Sequence, residues 1–113
     1  MVIYKILSND EWDDARAAGR FTGTAMDEQD SYIHLSGADQ VVETARRVFA
    51  GVTGLTLLTV DPDRLGDGLR WEPSRGGALF PHLYAALPVD AVVAAEALPA
   101  DTPAADAVAA LLA

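Results

Sequence analysis

The chain has no cysteine and only one lysine, Lys5. Without thiols there is no disulfide, no thiolate zinc site and no cysteine nucleophile. Basic residues are scarce as a class: 8 stand against 17 acidic ones, a formal net charge of −9. That balance argues against nonspecific binding to nucleic acid or to an anionic membrane. No uncharged apolar run approaches the roughly eighteen residues of a membrane span, and the N-terminus enters a strand-like run without the charged and apolar segments of a leader. The expectation is a cytoplasmic protein of bacterial type. Neither G-x-G-x-x-G nor G-x-x-x-x-G-K occurs, so two common phosphate-cradling motifs are missing. There are two histidines, His34 and His82, and no third ligand follows at a recognised spacing, so no metal site is expected.

What is present is an ordinary globular composition. Half of the 113 residues are apolar and 22% are charged, which suits one domain with a single core and one pocket. Val2 to Leu7 reads as a strand, and Ser8-Asn9-Asp10-Glu11 has the spacing of a capping box that opens a helix closed by Gly19. Arg20 to Asp30 lacks a clear period and reads as a long loop, its Asp27 to Asp30 group as a solvated face. Tyr32 to Ser36 reads as a short strand with Tyr32, His34 and Ser36 on one face and Ile33 and Leu35 on the other. A helix from about Gly37 to Ala50 follows, with Ser36 as its cap and an apolar stripe through Val41, Ala45 and Phe49. Leu55 to Val60 is a buried central strand that Asp61-Pro62 ends.

Leu69 to Glu72, His82 to Ala85 and Asp90 to Leu98 complete the strands, and Thr102-Pro103 starts a terminal helix. Strand, helix, strand, helix and then mostly strands predicts a compact α+β domain over residues 1–98, with a helical tail over 99–113. Two small, mostly antiparallel sheets and two to three helices are expected.

The densest chemistry lies in Trp71-Glu72-Pro73-Ser74-Arg75-Gly76-Gly77-Ala78-Leu79-Phe80-Pro81-His82-Leu83-Tyr84. His34 and His82 are candidate acid/base groups near neutral pH, or buried histidines satisfied by backbone. Glu72 either pairs with Arg70 or Arg75, or orients a ligand hydroxyl. Arg75 before Gly76 and Gly77 has the makings of an anion-binding loop, the alternative being a tight turn with an exposed arginine. Trp71, Phe80 and Tyr84 can stack on a planar ligand or fill the core. Ser36 is explained by capping without any nucleophilic role.

With Ile3-Tyr4-Lys5-Ile6-Leu7, Tyr32 to Ser36 and the Leu69 to Tyr84 run in view, the chain resembles the bacterial domain-of-unknown-function family 952 from about Ile3 to Val93. That family in turn looks distantly similar to the ADP-ribosyltransferase-like fold, whose two sheets form a cleft for NAD. Enzymes of that fold place a His or Arg on the first core strand, a Tyr or Ser on the next and a later Glu that orients the ribose. Here the first strand offers Tyr4-Lys5 instead, the next offers Tyr32 and His34, and Glu72 is the counterpart of the carboxylate, so the usual triad is not intact. The resulting expectation is a pocket for an anionic small molecule, a nucleotide such as NAD, with His34, Glu72 and His82 as catalytic candidates. Lys5, Tyr32, Ser36, Trp71, Arg75, Gly76, Gly77 and Tyr84 are the ligand-binding candidates. The competing expectation is a noncatalytic module for a protein partner or a neutral metabolite.

Overall fold

In the computed structural model, which describes residues 1–113, β1 (Ile3–Ser8) is the strand expected from its β-branched run. It leads into α1 (Asn9–Ala18) through a complete capping box. Ser8 Oγ accepts from the Glu11 N–H, and the Glu11 carboxylate accepts from the Ser8 N–H. Gly19 ends the helix at φ 82°, a left-handed conformation that favours glycine.

The expected loop from Arg20 to Asp30 is instead structured. It holds the short strand β2 (Arg20–Phe21) and a six-residue helix, α2 (Ala25–Asp30). A second capping box starts α2: Thr24 Oγ1 accepts from the Asp27 N–H, and Asp27 Oδ2 accepts from the Thr24 N–H. Six residues are too few for a period to show in sequence, which is why α2 was hidden there.

Tyr32 to Ser36 divides between two sheets. Ile33–His34 is β3 and Ser36–Gly37 is β4, with Leu35 between them. The following helix, α3, is shorter than expected, Val41–Val48, and Ser36 does not cap it. The Gln40 side chain instead turns back to accept from the Gly37 N–H. The chain continues through β5 (Leu55–Val60), β6 (Leu69–Pro73), β7 (Leu79–Leu83), β8 (Leu87–Pro88), β9 (Val92–Ala97) and α4 (Ala104–Leu112). No side chain caps α4; Thr102 Oγ1 bonds to Asp101 instead.

All strand pairs are antiparallel. A four-stranded sheet has the order β4-β1-β5-β9, a three-stranded one β3-β7-β6, and β2 pairs with β8. The molecule is thus α+β, with four helices and small antiparallel sheets. Alternation along β1 and β5 sorts the core into two. Ile3, Leu7, Leu58 and Val60 face one cluster with Trp12, Phe21, Ile33 and Leu83. Tyr4, Ile6, Leu55 and Leu57 face the other, with Val41 and Ala45 of α3 and Val108 of α4.

The pairing register has a consequence for the site. β4 pairs only with Ile3 and Tyr4, so beyond Tyr4 that edge of β1 has no strand beside it. A concavity opens there.

No helix is long and apolar enough to cross a membrane.

Candidate functional site

The open edge of β1 borders a cavity of about 540 Å³. Tyr4, Lys5 and Ile6 contribute from β1, and Ala25, Met26 and Asp27 from α2. Val41, Thr44, Val48 and Phe49 line the side formed by α3 and its end. His34, Leu35, Ser36, Phe80 and His82 come from the β3, β4 and β7 strands and the link between them, and Arg75 from the β6–β7 connection. The volume lies in the range of small-molecule sites.

One wall is ionic. Lys5, on the Ile3 and Leu7 face of β1, is buried, and its ammonium donates to both Asp27 oxygens, at 3.2 and 3.0 Å, and to the His34 carbonyl at 2.8 Å. Asp27 is only 3% exposed. Its carboxylate also accepts from the Thr24 N–H at 2.9 Å and the His34 N–H at 3.0 Å, and His34 Nδ1 lies 2.6 Å from Oδ1. Burial alone would push the Asp27 carboxyl up, but the His34 hydrogen bond, the Lys5 charge and the two backbone N–H groups together hold it well below the usual carboxylate range. Burial pulls the Lys5 ammonium down from its ordinary value against the opposing pull of Asp27. The second ring nitrogen of His34 faces Asp30 Oδ2 at 2.9 Å. Both nitrogens of His34 are therefore occupied by carboxylates.

His82 is placed differently. It sits opposite His34 in the β3–β7 register and opposite Arg70 in the β6–β7 register. It is 3% exposed. Its Nδ1 is 2.9 Å from Glu72 Oε1, and the Tyr84 hydroxyl donates to the same oxygen at 2.6 Å. These bonds from Tyr84 and then His82 lower the Glu72 carboxyl from its ordinary value, and the same carboxylate raises the Tyr84 phenol. The Tyr32 ring stacks on His82 with centroids 4.0 Å apart.

Arg75 closes a third side. It donates to Thr44 Oγ1 at 2.9 Å, and Thr44 in turn shares a 3.0 Å hydrogen bond with Ser36 Oγ. The guanidinium lies 5.1 Å from the centre of the Phe80 ring, a cation–π contact. No carboxylate pairs with it.

Of the residues expected from sequence, Lys5, His34, Ser36, Arg75 and His82 line one cavity. Glu72 and Tyr84 stand behind His82, outside the cavity lining, and Tyr32 and Tyr84 border a smaller adjoining depression. Glu72 pairs with His82 and Tyr84, not with Arg70 or Arg75. Gly76 and Gly77 adopt φ 70° and 81°, as an αL turn requires. The Gly77 N–H is taken up by the Ser74 carbonyl at 2.8 Å, and neither glycine lines the cavity. Trp71 and Tyr84 are 38% and 45% exposed. They are not core, and Trp71 does not line the cavity. Phe80 is buried and does.

Sequence reasoning missed Asp27, Asp30 and Thr44. Asp27 left a usable trace, since Thr24-x-x-Asp27 matches the same capping pattern as Ser8-x-x-Glu11. Thr44 left none, because only the tertiary fold brings it to Arg75. No group of three or more His, Asp or Glu side chains is placed to hold a metal ion.

Comparison with known proteins gives a family and a structural relative. The family model described as "Protein of unknown function (DUF952)" matches residues 6–95. The crystal structure of protein CC0527 from Caulobacter crescentus is 48% identical, with a TM-score of 0.88, over 96% of this chain and 99% of that one. Its solution NMR structure aligns at 50% identity and TM-score 0.79, over 91% and 89% of the two chains. No curated protein matches. These comparisons lend no support to the ADP-ribosyltransferase-like resemblance, and the geometry departs from it as well, since Glu72 stands behind His82 instead of in the cavity.

Proposed function

The chain belongs to the DUF952 family, and on that premise we propose that its cavity binds an anionic small molecule. The ligand's charged group meets Arg75 and its less polar body packs against Met26, Val48, Phe49 and Phe80, all lining residues. The observation that carries this reading is Arg75 itself: a half-buried guanidinium beside the apolar side of the cavity, without a carboxylate partner, in a chain of net charge −9. Such an arginine favours a phosphate or carboxylate oxygen, which can take the fork of N–H donors left after the Thr44 bond. Lys5 does not share this role, because Asp27 already neutralises it. A nucleotide such as NAD is the first ligand class to test, with the Phe80 ring beside the guanidinium as a surface for a base.

A thermal-shift screen against NAD, ADP-ribose, mononucleotides, inorganic phosphate and simple carboxylates tests this, since a ligand that binds the native state raises its melting temperature. Arg75→Ala should weaken the responding anion by about 1.5–3 kcal/mol. An anion that binds both forms equally removes Arg75 from the site. The competing reading, a noncatalytic module for a protein partner, draws on the exposure of Trp71 and Leu79 on the β6–β7 hairpin, and a screen with no responding ligand favours it.

A further inference from the structure

We infer that the cavity is catalytic, with His82 Nε2 as a general base that takes a proton from a hydroxyl group or water held there. The inference rests on the same cavity as the ligand-binding proposal but on different atoms. Glu72, a carboxylate lowered below its ordinary range, can only accept a hydrogen bond, so the Nδ1 that faces it at 2.9 Å carries the ring proton. In the neutral ring, Nε2 is then the lone-pair nitrogen. Nε2 makes no hydrogen bond within the protein, and no fully buried side-chain nitrogen or oxygen is left without a partner. The lone pair is therefore one that solvent reaches, and His82 lines the cavity.

The surroundings hold the ring in place. Tyr32 stacks on one face, and Tyr84 fixes the Glu72 oxygen by donating to it at 2.6 Å. His34 offers no comparable atom, because both its nitrogens face carboxylates. In the step itself the O–H bond breaks, an Nε2–H bond forms, and the electron pair stays on the oxygen, which becomes the nucleophile. The positive charge left on the imidazolium faces Glu72, so the charge that develops is met by a carboxylate already in position. Glu72 and Tyr84 are positioning residues; of the three, only His82 meets the substrate.

The test uses the intact chain and two readouts. Nitrogen-15 NMR of the imidazoles should show His82 as the Nδ1–H tautomer with an unprotonated Nε2. Diethyl pyrocarbonate followed by mass spectrometry should acylate His82 ahead of His34. Glu72→Gln can turn an amide N–H toward Nδ1, which favours the opposite tautomer, so acylation of His82 should fall by roughly tenfold or more while the chain stays folded. Tyr84→Phe should have a smaller effect in the same direction. An Nε2–H tautomer in the wild type, or a His82 that reacts no faster than His34, overturns the inference. Inorganic phosphate separates it from the ligand-binding reading. Protection of His82 that is lost in Arg75→Ala supports both. A reactive His82 that phosphate does not protect supports the base and counts against anion binding, whereas an inert His82 in a chain that phosphate stabilises does the reverse.

Discussion

Asp27 is the residue on which the ionic wall depends. Five hydrogen bonds converge on its two oxygens: two from Lys5, one from Thr24 and two from His34. Asp27→Asn removes the charge and leaves the Lys5 ammonium buried without a counter-ion, a change that costs about 3–5 kcal/mol. Urea unfolding measures it. Lys5→Met should cost less, because the carboxylate keeps its His34 and Thr24 donors and the methionine fills the vacated space. The pH dependence has a definite sign. The Asp27 carboxyl lies lower in the folded protein than in the unfolded chain, where it is about 3.9. Its contribution to stability is therefore complete above that unfolded value and is lost as pH falls toward the folded one. The acid limb of the stability profile should be steeper in the wild type than in Asp27→Asn, and an identical limb would mean that Asp27 is not the titrating group.

Two capping boxes of the same design have different consequences. Ser8→Ala and Thr24→Ala should each cost about 1 kcal/mol by urea unfolding. Only Thr24→Ala should also loosen the ionic wall, because the carboxylate paired with Thr24 is the Asp27 that holds Lys5 and His34, whereas Glu11, which also lines the cavity, bonds neither. Chemical shifts of the two histidines check this: both rings unchanged in Ser8→Ala, His34 displaced in Thr24→Ala. The pair also shows where sequence was readable. Ser8-x-x-Glu11 introduces ten helical residues with an acidic first turn and Gly19 to close them, whereas Thr24-x-x-Asp27 introduces six with no glycine stop, so Asp27 looks like solvated acid until the fold buries it. Alternation correctly aimed Tyr32 and His34, whose rings lie 4.6 Å apart. Alternation pairs Arg70 with Glu72 and His82 with Tyr84, and it is the β6–β7 pairing that brings the two pairs into contact on one face. What alternation does not carry is the partner across space. Ser36 resembles a cap by spacing, yet its hydroxyl bonds Thr44, and that link to Arg75 depends on where α3 docks.

The whole molecule is two cores sharing one sheet, and the second depends on α4. Ala104, Ala105, Ala107 and Val108 are buried against the α3 side of the sheet with Tyr4, Ile6, Val41 and Leu57, although α4 lies beyond the family match, which ends at residue 95. Tyr4, Ile6 and Val41 also line the cavity, so α4 supports the site's apolar wall from behind. Val108→Ala removes two fully buried methyl positions' worth of packing and should cost about 2 kcal/mol while leaving a folded chain. Truncation after Leu98 removes the whole layer and exposes the apolar side chains beneath it. The combined loss, about 5 kcal/mol or more, approaches the total stability of a domain this size, about 5–15 kcal/mol. The truncated chain should therefore lose its cooperative thermal transition by circular dichroism and, with it, any ligand-dependent shift. A truncated chain that melts sharply near the full-length temperature would make α4 an appendage, and the cavity wall would then have to be held by α3 and β1 alone.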